Sequence, residues 1–359
     1  MAIHQWNYSM KNRNILILYT ELAGYTLASL NALAANRGVH IHLVRWPVNN
    51  EAPFAFVFQG EMTVYDRKSF SADSLTKLAS DIGPDLILCS GWTDKAYLAV
   101  CKSWRKKIPV VLAMDNKWLG TAKQHVARLV SRFTVLRYFS HCWVPGQQQF
   151  KYAEKLGFKA DTIKTGFYTC DVEHFARVNA QTMEAKSKHF PHVFVYAGRY
   201  YDFKGIQDLW EAFVKLKLAY PNDWKLICLG NGDLDPVQHS DIQHLGFVQP
   251  EHLGEIMAGS GVFVLPSRVE PWGVVVQEFA AAGFPLLLSS AVGSGEAFLQ
   301  EGMNGFSFRS SDPDSLMHAL RSIVELNDHK LVDMGQKSAA IATTVSPEQW
   351  TATLLGFIP

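Results

Sequence analysis

Residues 261–305 read GVFVLPSRVEPWGVVVQEFAAAGFPLLLSSAVGSGEAFLQEGMNG. The apolar run 262–265 is short and bounded by Pro266-Ser267, which marks a buried strand. Glu270-Pro271-Trp272-Gly273 then opens an apolar helix that Gly283 and Pro285 close, and Leu286-Leu287-Leu288 begins the next strand. The unit is strand, acidic turn, helix, strand. In an open α/β fold its turn lies at the carboxyl edge of the sheet, where such folds bind ligands.

Two carboxylates mark that turn. Glu270 lies in the loop before the helix, and Glu278 follows eight residues later, about two helical turns on. The backbone N–H groups of Trp272, Gly273 and Val274 at the helix start suit an anion. A carboxylate beside an anion site is unfavourable unless it serves another group, such as sugar or ribose hydroxyls. The plainer reading makes Glu270 a first-turn charge favoured by the helix dipole and Glu278 a solvated helix residue. It is the commoner one for a lone pair of glutamates, but the place of Glu278 between Val276 and Phe279 weakens it.

Upstream, residues 193–197 form a strand and Gly198-Arg199-Tyr200-Tyr201-Asp202-Phe203-Lys204-Gly205 a turn before a helix at 206–218. A Gly, an Arg and a Lys at a strand-to-helix turn supply what a diphosphate needs: close backbone approach, a forked cation and a point charge. Alone, the same residues are ordinary surface charge. Residues 224–229 are the next strand, and His244 to Val248 another strand end.

Together Pro266-Ser267, Glu270, Gly273, Glu278, Ala281, Gly283, Pro285, Gly293, Glu296, Gly302 and Gly305 resemble the signature of retaining GT-B glycosyltransferases. The resemblance is to glycosyltransferase family 4 (glycosyl transferases group 1), whose E-x7-E motif the two glutamates reproduce. It is specific in the C-terminal half and mainly one of layout in the N-terminal half. The resemblance implies two Rossmann-like doubly wound domains facing across a cleft, with a nucleotide diphosphate sugar as donor. It assigns Gly198, Arg199 and Lys204 to the diphosphate, and Glu270 to the donor sugar hydroxyls. Glu278 goes to the ribose and the backbone near Val248 to the base. Trp272 stands where the family commonly has Phe.

The N-terminal half alternates strands and helices, which implies a parallel sheet. Strands are expected at 15–19, 39–44, 63–65, 84–89, 110–114 and 141–145, with helices from about 25 to 36, at 71–82 and at 147–156. Glu21, Asp94, Asp115 and Asn116 follow strands and share one edge. By resemblance Asp115 occupies the place of a histidine that touches the donor sugar, and a capping role for it fits as well. Gly24 occupies a loop in which the family carries two adjacent glycines facing acceptor and phosphates. Residues 118–139, WLGTAKQHVARLVSRFTVLRYF, place Val126, Leu129, Val130, Phe133 and Leu136 at helical spacing beside Lys123, Arg128, Arg132 and Arg137. An interfacial membrane helix and a packed helix with a solvated face both fit.

The domains are expected at 1–178 and 191–340, with residues 347–359 packing back on the first and a polar, unpatterned linker at 176–190. A chain of 359 residues with 48% hydrophobic and 19% charged residues can bury a core in each half. Net charge of +1 gives no general attraction for nucleic acid. The five cysteines are scattered without metal-ligand spacing and read as reduced, cytoplasmic thiols. No signal-peptide core is read at the N-terminus, and 14–18 is too short to span a bilayer. The expected protein is a cytoplasmic hexosyltransferase, peripheral on the inner membrane face if 118–139 engages lipid. It uses no metal or other cofactor and passes sugar to a saccharide or lipid-linked hydroxyl. The competing readings are a nucleotide-sugar 2-epimerase of the same fold and a non-catalytic nucleotide-sugar-binding protein.

Overall fold

The computed structural model describes residues 12–47, 56–249 and 252–359. The N-terminal reading on signal sequence therefore falls largely on 1–11, outside the described residues. The chain divides into two compact units, Met1–Phe167 with Pro347–Pro359, and Tyr168–Ser346.

In the first unit β1 (Arg13–Tyr19), α1 (Gly24–Ala34), β2 (Val39–Arg45) and β3 (Met62–Asp66) lead to α2 (Ala72–Ile82) and β4 (Leu86–Ser90). Then come α3 (Lys95–Trp104), β5 (Val110–Ala113), α4 (Ala122–Thr134), β6 (His141–Trp143), α5 (Gln147–Lys155) and β7 (Ile163–Lys164). The sheet is seven-stranded, in the order β3-β2-β1-β4-β5-β6-β7, and its pairings are parallel. Strand β1 carries Ile15, Leu16, Ile17 and Leu18, all fully buried, as a central strand covered on both faces requires.

Helix α3 carries no reading from sequence, yet its start is held firmly. Asp94 caps it, accepting from Ala96 N at 2.8 Å and Tyr97 N at 3.1 Å. The same carboxylate accepts from Arg67 Nε and Nη2, both at 2.9 Å, and from Trp46 Nε1 at 3.1 Å. Burial acts to raise its pKa, but these bonds outweigh it and hold the carboxyl below the usual carboxylate range. Asp94 is therefore a structural tie rather than an open edge group.

The second unit opens with α6 (Val172–Lys188), β8 (Val193–Ala197), α7 (Ile206–Ala219), β9 (Lys225–Leu229), β10 (Ile242–Gly246) and α8 (Leu253–Ala258). It continues through β11 (Val262–Leu265), α9 (Val275–Ala281), β12 (Leu286–Ser289), α10 (Gly295–Phe298), β13 (Gly305–Phe308), α11 (Pro313–Val324) and α12 (Asp328–Ala342). Its parallel sheet runs β10-β9-β8-β11-β12-β13. Strand order reverses between β8 and β11, so loops leaving these two neighbours diverge and open a crevice at the carboxyl edge. A last helix, α13 (Pro347–Leu355), belongs to the first unit: Trp350 donates from Nε1 to Phe167 O at 2.7 Å and lies 4.8 Å from the Trp143 ring.

Four expectations need correction. The linker expected at 176–190 is largely helix α6, capped by Asp171, which accepts from His174 N at 3.0 Å. Only Val172, Phe175 and Val178 among its apolar residues are buried, too sparse a stripe to read as periodic. The first unit accordingly ends at 167, not 178. The helix expected from the acidic turn begins only at Val275, so Glu278 sits in its first turn. The helix read within 118–139 is confined to Ala122–Thr134. Helix α12, unread in the sequence, packs on α9.

Candidate functional site

The strongest cluster of predicted residues assembles at the β8/β11 switch point of the second unit. Two loops meet there, 198–205 after β8 and 266–274 after β11. Gly205 has φ 66° and opens α7, and a Cβ on it would lie 2.2 Å from Pro266 O, so only glycine lets the loops touch. Backbone N–H groups of Arg268 and Val269 donate to Phe203 O at 2.9 and 3.1 Å. The Arg268 guanidinium forks onto Asp208 at 2.9 and 2.6 Å and reaches Asp202 at 2.6 Å. Sequence reasoning missed this clamp, because nothing local tells Arg268 that two acids lie about sixty positions away.

Inside the clamp, Lys204 Nζ donates to Glu270 Oε2 at 2.5 Å. Ser267 Oγ donates to the same oxygen at 3.1 Å, and Ser289 Oγ donates to Ser267 O at 2.5 Å. Glu270 is 8% exposed, so its carboxylate is desolvated and needs these donors. Sequence placed Lys204 and Glu270 in one site; that they are ion-paired emerges only here. Arg199 precedes them in the turn, its guanidinium carbon 5.3 Å from the Tyr201 ring. Its backbone O accepts from Tyr196 Oη at 2.9 Å, while Gly198 N donates to Leu229 O at 3.0 Å.

The acidic turn is fixed from its far side. Gly273, at φ 91°, passes so close to Glu270 that a Cβ would lie 3.0 Å from its Cγ. Ser294 Oγ donates to Gly273 O at 3.0 Å, and Gly293 N to Glu270 O at 3.0 Å. Trp272 is buried with its ring at a steep angle to that of Phe298, and Val274 is buried as the residue preceding α9. The N–H groups of Trp272, Gly273 and Val274 lie ahead of the helix's first backbone bond, Val276 N to Gly273 O at 3.1 Å.

Glu278 is partly exposed, and burial of its carboxyl pushes the pKa up to about 7. Its neighbour Gln277 anchors α9: Nε2 donates to Ala342 O and Val345 O at 3.0 and 2.7 Å, and Oε1 accepts from Cys170 N at 3.0 Å. That anchor was also missed from sequence. Val248 is part-buried in the loop after β10.

Asp115 and Gly24 belong to the first unit. Asp115 follows β5, and its charge adds to the burial that, against a Thr26 hydrogen bond, pushes the Tyr19 hydroxyl up to about 12. Asp115 does not cap α4, since Thr121 accepts there from Gln124 N. Gly24 is the first residue of α1 rather than part of the loop before it. Among the described residues no group of three or more His, Cys, Asp or Glu side chains could hold a metal ion. The five cysteines are free and buried.

Residues 191–325 match the family model for glycosyl transferases group 1. The second unit holds the whole of the region that matches glycosyl transferases group 1. An uncharacterized glycosyltransferase of Methanocaldococcus jannaschii is 33% identical over 131 residues, covering 34% of this chain and 33% of that protein. Glycogen synthase of Mycobacterium tuberculosis is 31% identical over 144 residues, covering 38% and 34%. The matched region thus spans about a third of these curated relatives. The crystal structure of Anabaena HepE in complex with UDP and glucose superposes with a TM-score of 0.70 at 16% identity, covering 96% of this chain and 99% of that one. The chain has the GT-B fold, with two Rossmann-like α/β units. The matched region lies within the unit that holds the Lys204–Glu270 pair.

Proposed function

We propose that the protein is a retaining glycosyltransferase that moves a sugar from a nucleotide diphosphate sugar to a hydroxyl of a saccharide or lipid-linked acceptor. The observation that carries this reading is the Lys204–Glu270 pair, in the turn that also carries Arg199, at the switch point of the unit that matches group 1. Arg199 and Lys204 neutralise charge that grows on the departing diphosphate, a stabilisation larger in the transition state than in the ground state. Glu270 holds donor sugar hydroxyls and orients Lys204. Glu278 takes the ribose hydroxyls, and the loop at Val248 takes the base. Gly198 and the N–H groups of Trp272, Gly273 and Val274 face the phosphates and sugar. For Asp115 and Gly24 the proposal follows the family resemblance: a contact to the donor sugar and a close backbone approach to a ligand.

The C1–O bond to the diphosphate breaks and a C1–O bond to the acceptor forms on the same face. The acceptor's proton passes to a departing diphosphate oxygen. With side-chain cations doing the neutralising, the proposal needs no metal and no other cofactor. UDP and glucose are bound in the HepE structure, so UDP-glucose is the first donor to test. A thermal-shift screen of nucleotide sugars should raise the melting temperature with the true donor, and that donor should be turned over in the presence of EDTA. Turnover that EDTA abolishes and Mg2+ restores defeats the metal-free course. Isomerised free donor would identify an epimerase, and donor binding with no product a non-catalytic binding protein.

A further inference from the structure

Helix α4 is built the wrong way round for a packed helix. At 100° per residue, Gln124, Ala127 and Ser131 share one face, and these are its least exposed residues. Ser131 Oγ donates to Leu156 O at 2.5 Å, and Gln124 Nε2 to Lys117 O at 2.7 Å, so the face turned to the protein is small and polar. Val126, Leu129, Val130 and Phe133 lie opposite, with Val126 59%, Leu129 79% and Phe133 68% exposed. A surface helix ordinarily buries such a stripe.

The flanks have one sign. Lys123 borders the stripe on one side, and Arg128 and Arg132 lie on the other; all three are exposed, and the helix contains no Asp or Glu. Leu119, 62% exposed, extends the apolar surface ahead of the helix. Past its C-terminal end, Arg105 Nε donates to Phe139 O at 3.1 Å, which brings the exposed Lys106 and Lys107 to the same end as Arg137.

We infer that α4 is a docking surface for an anionic lipid membrane, lying in the interface with its apolar stripe among the acyl chains. Charge complementarity selects this occupant: the stripe enters the apolar phase while the basic flanks meet anionic headgroups. A second copy of this chain fits poorly, because face-to-face pairing would set Lys123, Arg128 and Arg132 against their own kind. Among the described residues no helix is long and apolar enough to cross a membrane, so this attachment is peripheral. The inference stands on exposure and charge alone and is independent of the catalytic proposal.

The full chain should sediment with phosphatidylcholine vesicles that contain phosphatidylglycerol, not with phosphatidylcholine alone, and should release at high salt. Leu129→Ser/Phe133→Ser should lower the partition coefficient about tenfold or more, as removal of two exposed apolar side chains implies. Arg128→Glu/Arg132→Glu should also abolish the preference for anionic vesicles. These positions are solvent-exposed, so unchanged melting temperatures should accompany both losses. Wild-type protein that stays in the supernatant, sediments equally with neutral vesicles, or binds no better than either variant overturns the inference. So does a concentration-dependent dimer in light scattering that Leu129→Ser/Phe133→Ser abolishes, for the stripe would then be a self-association surface.

Discussion

Lys204 and Glu270 share one short ion pair in which neither side chain is more than 17% exposed. In the proposed reaction the lysine must also serve the diphosphate, so donor binding redistributes its hydrogen bonds. Lys204→Ala should lower kcat by about two or more orders of magnitude, as loss of one transition-state charge partner does. A single-turnover rate near wild type would remove Lys204 from the chemistry. Glu278 offers a sharper test, because burial raises its pKa to about 7 from 4.5. A raised carboxyl stabilises the fold in its protonated form. That contribution is complete below pH 4.5 and is lost as pH rises through about 7. Glu278→Gln should therefore melt above wild type at pH 8 and close to level with it at pH 4. If the ionised form holds the ribose, donor affinity should fall about tenfold from pH 8 to pH 6, following the ionised fraction. The Gln variant should bind about 1.5–3 kcal/mol more weakly at pH 8 and show no such slope. The nucleotide sugar is the ligand for this calorimetry, since its diphosphate lacks a group titrating near neutrality. Flat wild-type affinity across this range would return Glu278 to an ordinary helix residue.

At the scale of elements, the site is two loops locked together rather than two loops near one another. Arg268 supplies most of the lock, through Asp208 near the start of α7 and Asp202 in the Lys204 turn. Arg268→Met leaves the nearly buried Asp208 carboxylate short of its forked partner, at a cost of about 1–3 kcal/mol. Denaturant unfolding should show that loss, and kcat should fall with it because Lys204 is no longer held. Arg268→Lys should recover little of either, since an ammonium cannot reproduce the two parallel bonds. Full activity in Arg268→Met would mean that the turn keeps its geometry by the backbone bonds to Phe203 alone.

At the scale of the whole molecule, the last residues return to the first unit. Deleting 347–359 strips Trp143 of the Trp350 and Phe357 rings, 4.8 and 5.9 Å away, and leaves Phe167 O without its indole donor. The first unit should lose its cooperative transition in calorimetry, while a nucleotide-induced shift in the melting of the second unit survives. Joint loss of both transitions would show that the two units unfold as one.

Much of this was legible from sequence because it rests on local signals. The alternation of apolar strands with turns and helices set out the parallel sheets, and Gly198, Arg199, Lys204 and the two glutamates fell after strands that a parallel sheet aligns at one edge. What local signals could not carry was decided by packing. The stretch 176–190 is helical although polar, because three apolar residues and the Asp171 cap suffice once α9 and α12 offer a surface. Arg268 finds its acids, and Lys204 its glutamate, only when β8 and β11 become neighbours across some sixty residues of chain. The composition of α4 showed that it had an apolar face; only the tertiary structure determined that this face points away from the protein. Periodicity records which side of a helix is apolar, whereas the direction that side faces depends on contacts that no single segment contains.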